Sequence, residues 1–192
     1  MRPILVPPDH PLRAATEHMV RDAYAARYGA SLGALPPLLA AVLDATGAPA
    51  CAAGLRDAES GFFSECYLEV PVESRLASLA RCPVARDSVL EVTSLAARSP
   101  GLTATLVGFV LTHGRDAGKR WGIFTATATL RRALARRGIV ASLLAPADAS
   151  RVPDPERWGS YYACDPWVCV VGADAAEVSS SRPRLPEVPE VA

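Results

Sequence analysis

No stretch of this chain approaches the roughly 20 consecutive apolar residues that a bilayer-spanning helix needs, and its first residues lack a signal-peptide apolar region. Nor is there an excess of charge of one sign. Twenty Lys and Arg offset twenty Asp and Glu, which argues against nucleic acid as the main partner. The five cysteines (Cys51, Cys66, Cys82, Cys164 and Cys169) form no C-x-x-C pair, and an odd number does not make a disulfide framework. Three scattered histidines supply no metal-ligand cluster, and no internal repeat is visible. The expectation is a cytoplasmic protein without a metal or a permanently bound cofactor. Half of its 192 residues are hydrophobic, ample for one core.

What is there is organised around residues 87–137. SVLEVTSLAA is β-branched and apolar enough for a buried strand, and it carries one carboxylate, Glu91. Pro100 and Gly101 punctuate a turn. Leu102, Leu106, Val107, Val110 and Leu111 then recur at helical spacing up to a stop at Gly118. WGIFTATA reads as a second strand and TLRRALARRG as a basic helix closed by Gly138. Two strands joined by a helix form a right-handed crossover, so strands near 88–96 and 121–126 are expected to be parallel neighbours. Such sheets bind ligands at the carboxyl ends of their strands, beside helix N-termini that attract phosphate.

Before this stretch lie a short strand at 4–6 and an amphipathic helix over 11–30. The helix is expected to bury Leu12, Ala15, Met19, Ala23 and Tyr24. A hairpin about a T-G-A-P turn follows, then an aromatic segment with Phe62, Phe63, Tyr67 and Leu68, which either walls a pocket or simply packs. A helix spans 72–81. After Gly138 come a strand in IVASLLAPA, a polar Pro-rich loop, and a last strand in YYACDPWVCVVGA. Residues 173–192 have no periodicity and read as a flexible tail after a domain of residues 1–172.

The resulting order is an antiparallel hairpin, a central parallel pair and two closing strands. It resembles the GNAT acyltransferase fold: a single α/β (α+β) domain with a central mixed sheet, flanked by helices, whose two parallel strands splay apart. VRDAYAARYGA, FFSECYLEVPVE, EVTSLAA, FTATATLRRALARRG and WGSYYACDPWV, in this order and spacing, resemble the thermostable hemolysin family, a GNAT-like branch similar to the acyl-homoserine-lactone synthases. The resemblance implies acyl transfer from a phosphopantetheine thioester, as acyl-CoA or on an acyl-carrier protein, to a small-molecule amine. The pattern carries no signal of oligomeric state.

Attack on a thioester needs a neutral amine, a polarised carbonyl and a route for the proton. Glu91 is the candidate base, because a carboxylate in an apolar strand is disfavoured by desolvation and gains proton affinity. The alternative is an ion pair with an arginine such as Arg21 or Arg27. The synthases carry E-x-S-R here, whereas this chain reads Glu91-Val-Thr-Ser94-Leu95, which speaks against S-adenosylmethionine as the acceptor. The resemblance further implies donor contacts from Leu95, Ala96 and the run Arg98-Ser-Pro-Gly101-Leu-Thr103, in which Thr103 doubles as a candidate helix N-cap. It implies a proton donor to the departing thiolate at Tyr161 or Tyr162, which a strand would point to opposite faces, and acceptor contacts from Tyr24, Arg27 and Tyr67. Cys66 and Cys164 have no histidine at a recognisable spacing and read as inert thiols.

Two other readings stay open from sequence. One is a GNAT-shaped protein that holds an acyl carrier or lipid without turnover. The other is a membrane-lytic protein, for which the chain shows no membrane-active segment.

Overall fold

In the computed structural model, residues 1–172 are described; the tail expected at 173–192 lies outside them. Their elements run β1 (Arg2–Val6), α1 (Arg13–Tyr28), β2 (Leu38–Leu43), β3 (Pro49–Arg56), α2 (Val72–Ala80), β4 (Val89–Ala97), α3 (Pro100–Asp116), β5 (Trp121–Ala126), α4 (Ala128–Ala135), β6 (Ser142–Pro146) and β7 (Trp167–Gly172). The seven strands form one mixed sheet in the order β1-β2-β3-β4-β5-β7-β6.

The β4–β5 pair is parallel, as the crossover through α3 requires, and every other pairing is antiparallel. The β4–β5 ladder runs from Val89↔Trp121 to Val92↔Phe124 and stops there. Both strands continue, β4 to Ala97 and β5 to Ala126, so they part at their carboxyl ends.

The β3 side of β4 carries a second irregularity. Pairing shifts between Ala52↔Ala96 and Gly54↔Thr93, so Ser94 and Leu95 together face the single residue Ala53. Ser94 takes φ +51, the backbone signature of a bulge. The extra residue reverses the alternation of β4. Val89 packs with the core under α2 and Leu90 with the α3 core, yet beyond the bulge Leu95 faces α3 and Ala96 faces α1. Gly54 makes the junction possible: a Cβ there would lie 2.6 Å from the Pro36 ring and 2.7 Å from Thr93 Oγ1.

Three apolar clusters hold the sheet. Leu76, Val72, Ile123 and Val168 lie on the α2 face, Met19, Val20, Leu39 and Ala96 under α1, and Val42, Leu90, Leu106 and Val110 against α3 on the opposite face. Helix α1 buries Met19 and Tyr24 as expected, with Thr16 and Val20 in addition, while Leu12 and Ala23 are half-buried and Ala15 is exposed. The Thr16 hydroxyl donates to Leu12 O at 2.8 Å, which makes its burial inexpensive.

Helix α3 starts earlier than expected. Pro100 occupies its first turn and Ser99 the N-cap position, so Thr103 is inside the helix and is not its cap. The Thr127 hydroxyl accepts from Leu130 N and begins α4, which cuts the expected strand at Ala126. The last strand is also shorter than expected. Tyr162–Cys164 form a 3-10 turn, Asp165 takes φ +52, and β7 begins only at Trp167. The Asp165 carboxylate rewards this turn by accepting from both Arg131 and Trp167 Nε1.

Candidate active site

The parting of β4 and β5 opens a cleft of about 930 Å³. Leu106, Val107 and Val110 of α3 and Leu130, Ala133 and Leu134 of α4 wall it, with Leu90, Val92 and Phe124 beneath. The apolar pattern of α3 serves both: Leu102 is buried in the core, Leu106 and Val110 are buried at the boundary of core and cleft, and Val107 and Leu111 line the cleft. Through the splay the cleft reaches Met19 and Tyr24 of α1 and Tyr161 on the far face. Its charged lining is one-sided, with Arg27, Arg98, Arg115, Lys119 and Arg136 among the basic residues and Asp22 the sole acid among the described residues.

Most expected site residues meet here. Tyr24, Arg27, Leu95, Ala96, Arg98, Thr103 and Tyr161 all line the cleft. Gly101 is at the exposed start of α3 and is not part of the lining; a Cβ added there would meet nothing within 4 Å. Tyr162 is also outside it. Its phenol lies 2.7 Å from that of Tyr67, a bond that ties the turn at 162–164 to the 3-10 turn Phe63–Tyr67. The two tyrosines are not sent to opposite faces of a strand as expected: they sit at a turn with their rings edge-on at 5.5 Å, and only Tyr161 lines the cleft.

Tyr161 is buried against Trp158, Tyr24 and Tyr28. Its hydroxyl points at Thr125 O, at a long 3.4 Å, beside the point where β5 leaves β4. Burial, with the neighbouring Tyr24 and Tyr28, pushes its proton affinity well up, so the phenol is protonated at neutral pH.

Glu91 does not project into the splay. It is fully buried and lines neither this cleft nor the smaller cavity beside it. Its Oε2 accepts from Phe63 N at 2.6 Å; its Oε1 accepts from Ser64 N at 2.7 Å and Ser64 Oγ at 2.6 Å. The ion pairs weighed from sequence are not formed: Arg21 pairs with Glu17, and Arg27 lies over the Tyr28 ring. Desolvation by burial raises the Glu91 pKa above the usual carboxylate range, opposed by the bonds from Ser64 and Phe63 and by the charge of Arg56. Ser64 Oγ in turn sits 2.9 Å from Thr125 Oγ1, so a hydroxyl chain leads from the buried carboxylate to a residue of the cleft wall.

The smaller cavity, about 110 Å³, lies on the α1 face of the splay. Ser64, Arg56, Thr93, Tyr67 and Trp158 line it, and it shares Tyr24, Ser94, Thr125 and Tyr161 with the large cleft. Of these, Ser64, Arg56 and Thr93 carry no sequence mark, because Ser64 is 27 residues from the Glu91 it serves.

Burial pushes the Cys66 thiol up to about 11 and Cys51 to about 12, so neither is a thiolate at neutral pH. Among the described residues no group of three His, Cys, Asp or Glu could hold a metal, and no helix is long and apolar enough to cross a membrane.

Solved structures share this architecture. FeeM, an N-acyl amino acid synthase from uncultured soil microbes, superposes with a TM-score of 0.60 at 14% identity, covering 94% of this chain and 98% of its own. The AHL synthase LasI matches at 0.59 and 9% identity, over 90% and 91%. TofI, solved with an inhibitor and MTA, matches at 0.58 and 15%, over 93% and 97%. At these identities the likeness is one of fold, the GNAT-like fold. No curated protein matches the sequence. The family model for thermostable hemolysin does, over residues 6–176, and since that span takes in every element from α1 to β7, the chain belongs to the thermostable hemolysin family.

Proposed function

We propose that this protein is an N-acyltransferase that moves an acyl group from a phosphopantetheine thioester, acyl-CoA or acyl-carrier protein, to an amine. One observation carries the reading. At the β4–β5 splay a protonated phenol, Tyr161, and the Thr125–Ser64–Glu91 chain meet at one residue, Thr125, through its carbonyl and its hydroxyl. The fold shared with FeeM, an N-acyl amino acid synthase, and with the AHL synthase LasI supports it.

The thioester arm lies between α3 and α4, with its phosphate at the start of α3 near Arg98 and Thr103, where helix N–H groups and the positive helix end favour an anion. The apolar groove walls take the hydrocarbon of the arm and acyl group. Beyond Val92, backbone N–H groups that β4 turns toward β5 have no ladder partner there and polarise the thioester carbonyl. The amine enters from the α1 face. As its nitrogen attacks the carbonyl carbon, its proton passes to the hydroxyl chain and Ser64 hands a proton to Glu91. The C–S bond then breaks, and Tyr161 protonates the departing thiolate. Glu91 acts as a base through Ser64, not by direct contact.

The non-catalytic alternative is favoured by one fact: three donors saturate Glu91, which also suits a purely structural anchor for the 63–67 turn. Thiol release and amide mass are the test, with acyl-CoA and acyl-carrier donors offered against a panel of amines. Turnover that falls in Ser64→Ala and Glu91→Gln supports the enzyme. Thioester binding without any amide from the wild type overturns it.

A further inference from the structure

Arg56 and Thr93 have no role in the chemistry above, yet both face the 110 Å³ cavity. Arg56 ends β3 directly opposite Glu91 in the ladder, and its side chain is half-buried. Its Nη1 donates to Ser60 O at 3.0 Å and reaches Gly61 O at 3.5 Å, which fixes the guanidinium in place. It makes no ion pair with a carboxylate of the described residues; the Glu91 carboxylate opposite is taken by the Phe63 and Ser64 donors. A partly desolvated guanidinium anchored on one nitrogen keeps a donor edge for a planar anion.

Thr93 supplies the second, independent observation. Its Oγ1 is the one buried side-chain polar atom of the described residues without a hydrogen-bond partner. Buried hydroxyls are seldom left so. No Asp or Glu lines the cavity, so its polar set is a cation and hydroxyls.

We infer that this cavity binds the acceptor, and that the acceptor is a small amine carrying a carboxylate, a free amino acid, held at that carboxylate by Arg56 and Thr93. The inference rests on the acyltransferase reading for its chemistry, but the anion site stands on the cavity itself. With the carboxylate at Arg56, the amine lies toward Ser64 and Thr125, where the chain to Glu91 begins and where the walls of the two cavities are shared. The volume is a few waters' worth, each about 30 Å³ in the liquid. It admits the backbone of an amino acid, with Phe63 and Trp158 beside any apolar side chain. The same geometry places the carboxylate next to a charge that otherwise faces Glu91, so a bound acceptor weakens the pull of Arg56 on that base.

The experiment uses the full chain and two readouts. In the first, glycine, L-leucine and L-phenylalanine are compared with their carboxamides as acceptors for an acyl thioester. The amides have the less basic, more available amine at neutral pH, so a preference for the acids reflects binding. Free acids are expected to have at least tenfold higher kcat/KM, and Arg56→Gln to collapse that ratio through KM. In the second readout, the same amino acids are titrated calorimetrically without donor into wild type, Arg56→Gln and Thr93→Val. Binding lost in either variant while its circular dichroism and melting match wild type supports the site, even if no thioester is turned over; that outcome overturns only the catalytic reading. Amides used as well as acids by an active wild type, or amino acid binding unchanged in both variants, overturns the inference and leaves acyl transfer standing.

Discussion

Arg56 and Glu91 stand directly opposite each other on β3 and β4, yet their side chains do not join in an ion pair. The carboxylate turns instead to the backbone of Phe63 and Ser64, and the guanidinium to the carbonyls of Ser60 and Gly61. The two charges thus anchor neighbouring residues, 60–61 and 63–64, of the segment that connects β3 to α2. This arrangement keeps a carboxyl group and a cation side by side without an ion pair between them.

Replacing Glu91 by Gln presents an amide donor where donors already point. The loss is expected to be about 1–3 kcal/mol of stability, the scale of buried donors left without an acceptor, with turnover lowered roughly 10²–10⁴-fold. Ser64→Ala removes the hydroxyl while keeping both backbone bonds to Glu91, so it separates the proton path from the anchor. Chemical denaturation and thiol-release kinetics on the two variants check this. The raised Glu91 pKa also has a sign. Its contribution to stability is full below the ordinary carboxylate value and declines as pH rises through the higher folded value. The stability advantage of wild type over Glu91→Gln should therefore shrink with rising pH across that window, while activity rises.

Tyr161→Phe removes the proposed proton donor to the thiolate. Because the hydroxyl bond to Thr125 O is long at 3.4 Å, the stability cost should stay under about 1 kcal/mol. Turnover is expected to fall roughly 10²-fold or more, with less effect for a thioester whose leaving thiol is more acidic. Equal losses for acidic and ordinary thiols would remove Tyr161 from that role.

Arg86 clamps the start of α2. It donates to both oxygens of Glu65, at 2.6 and 2.7 Å, and to Glu73 at 2.7 Å, while Glu65 also accepts from Val72 N at 2.9 Å. The bond from Arg86 leads in holding the Glu65 carboxyl below its usual range, so its stabilisation is present above the unfolded value and lost as pH falls through the folded one. With a third of the arginine side chain in solvent, Arg86→Gln is expected to cost about 1–2 kcal/mol after screening. Melting curves between pH 3 and 7 should show the difference narrowing toward acid.

Two glycines should respond oppositely. Gly54→Ala drives a methyl into Pro36 and Thr93 and is expected to cost about 1–3 kcal/mol as overpacking. Gly101→Leu meets open space at the start of α3, so the fold should be unchanged. Its bulk at the proposed phosphate end should raise the thioester KM about tenfold, which steady-state kinetics will read.

The central β-α-β unit was legible because each element announces itself locally: a β-branched run, Pro-Gly, helical spacing, then a second apolar run. Glu91 was legible as buried for the same reason. Its partners were not, since Ser64 meets it only through the tertiary fold. The bulge at Ser94 was hidden too, because a serine at positive φ is imposed by packing around Gly54 and not by local preference. The turn at Tyr162–Cys164 reads as strand because its aromatic composition is strand-like, while Asp165 and Pro166, which end it, weigh little in a pattern count.

The splay joins the two faces of the sheet: the large cleft runs between α3 and α4 and through the splay to α1, where the smaller cavity shares Tyr24, Ser94, Thr125 and Tyr161 with it. Two reactants that approach from opposite sides do not obstruct each other, so neither has to leave before the other arrives. Under the proposed acyl transfer this predicts direct transfer within one ternary complex, with no acyl group parked on the protein. Double-reciprocal plots at several fixed concentrations of the second reactant should then intersect; parallel lines would mean that the acyl group pauses on a side chain.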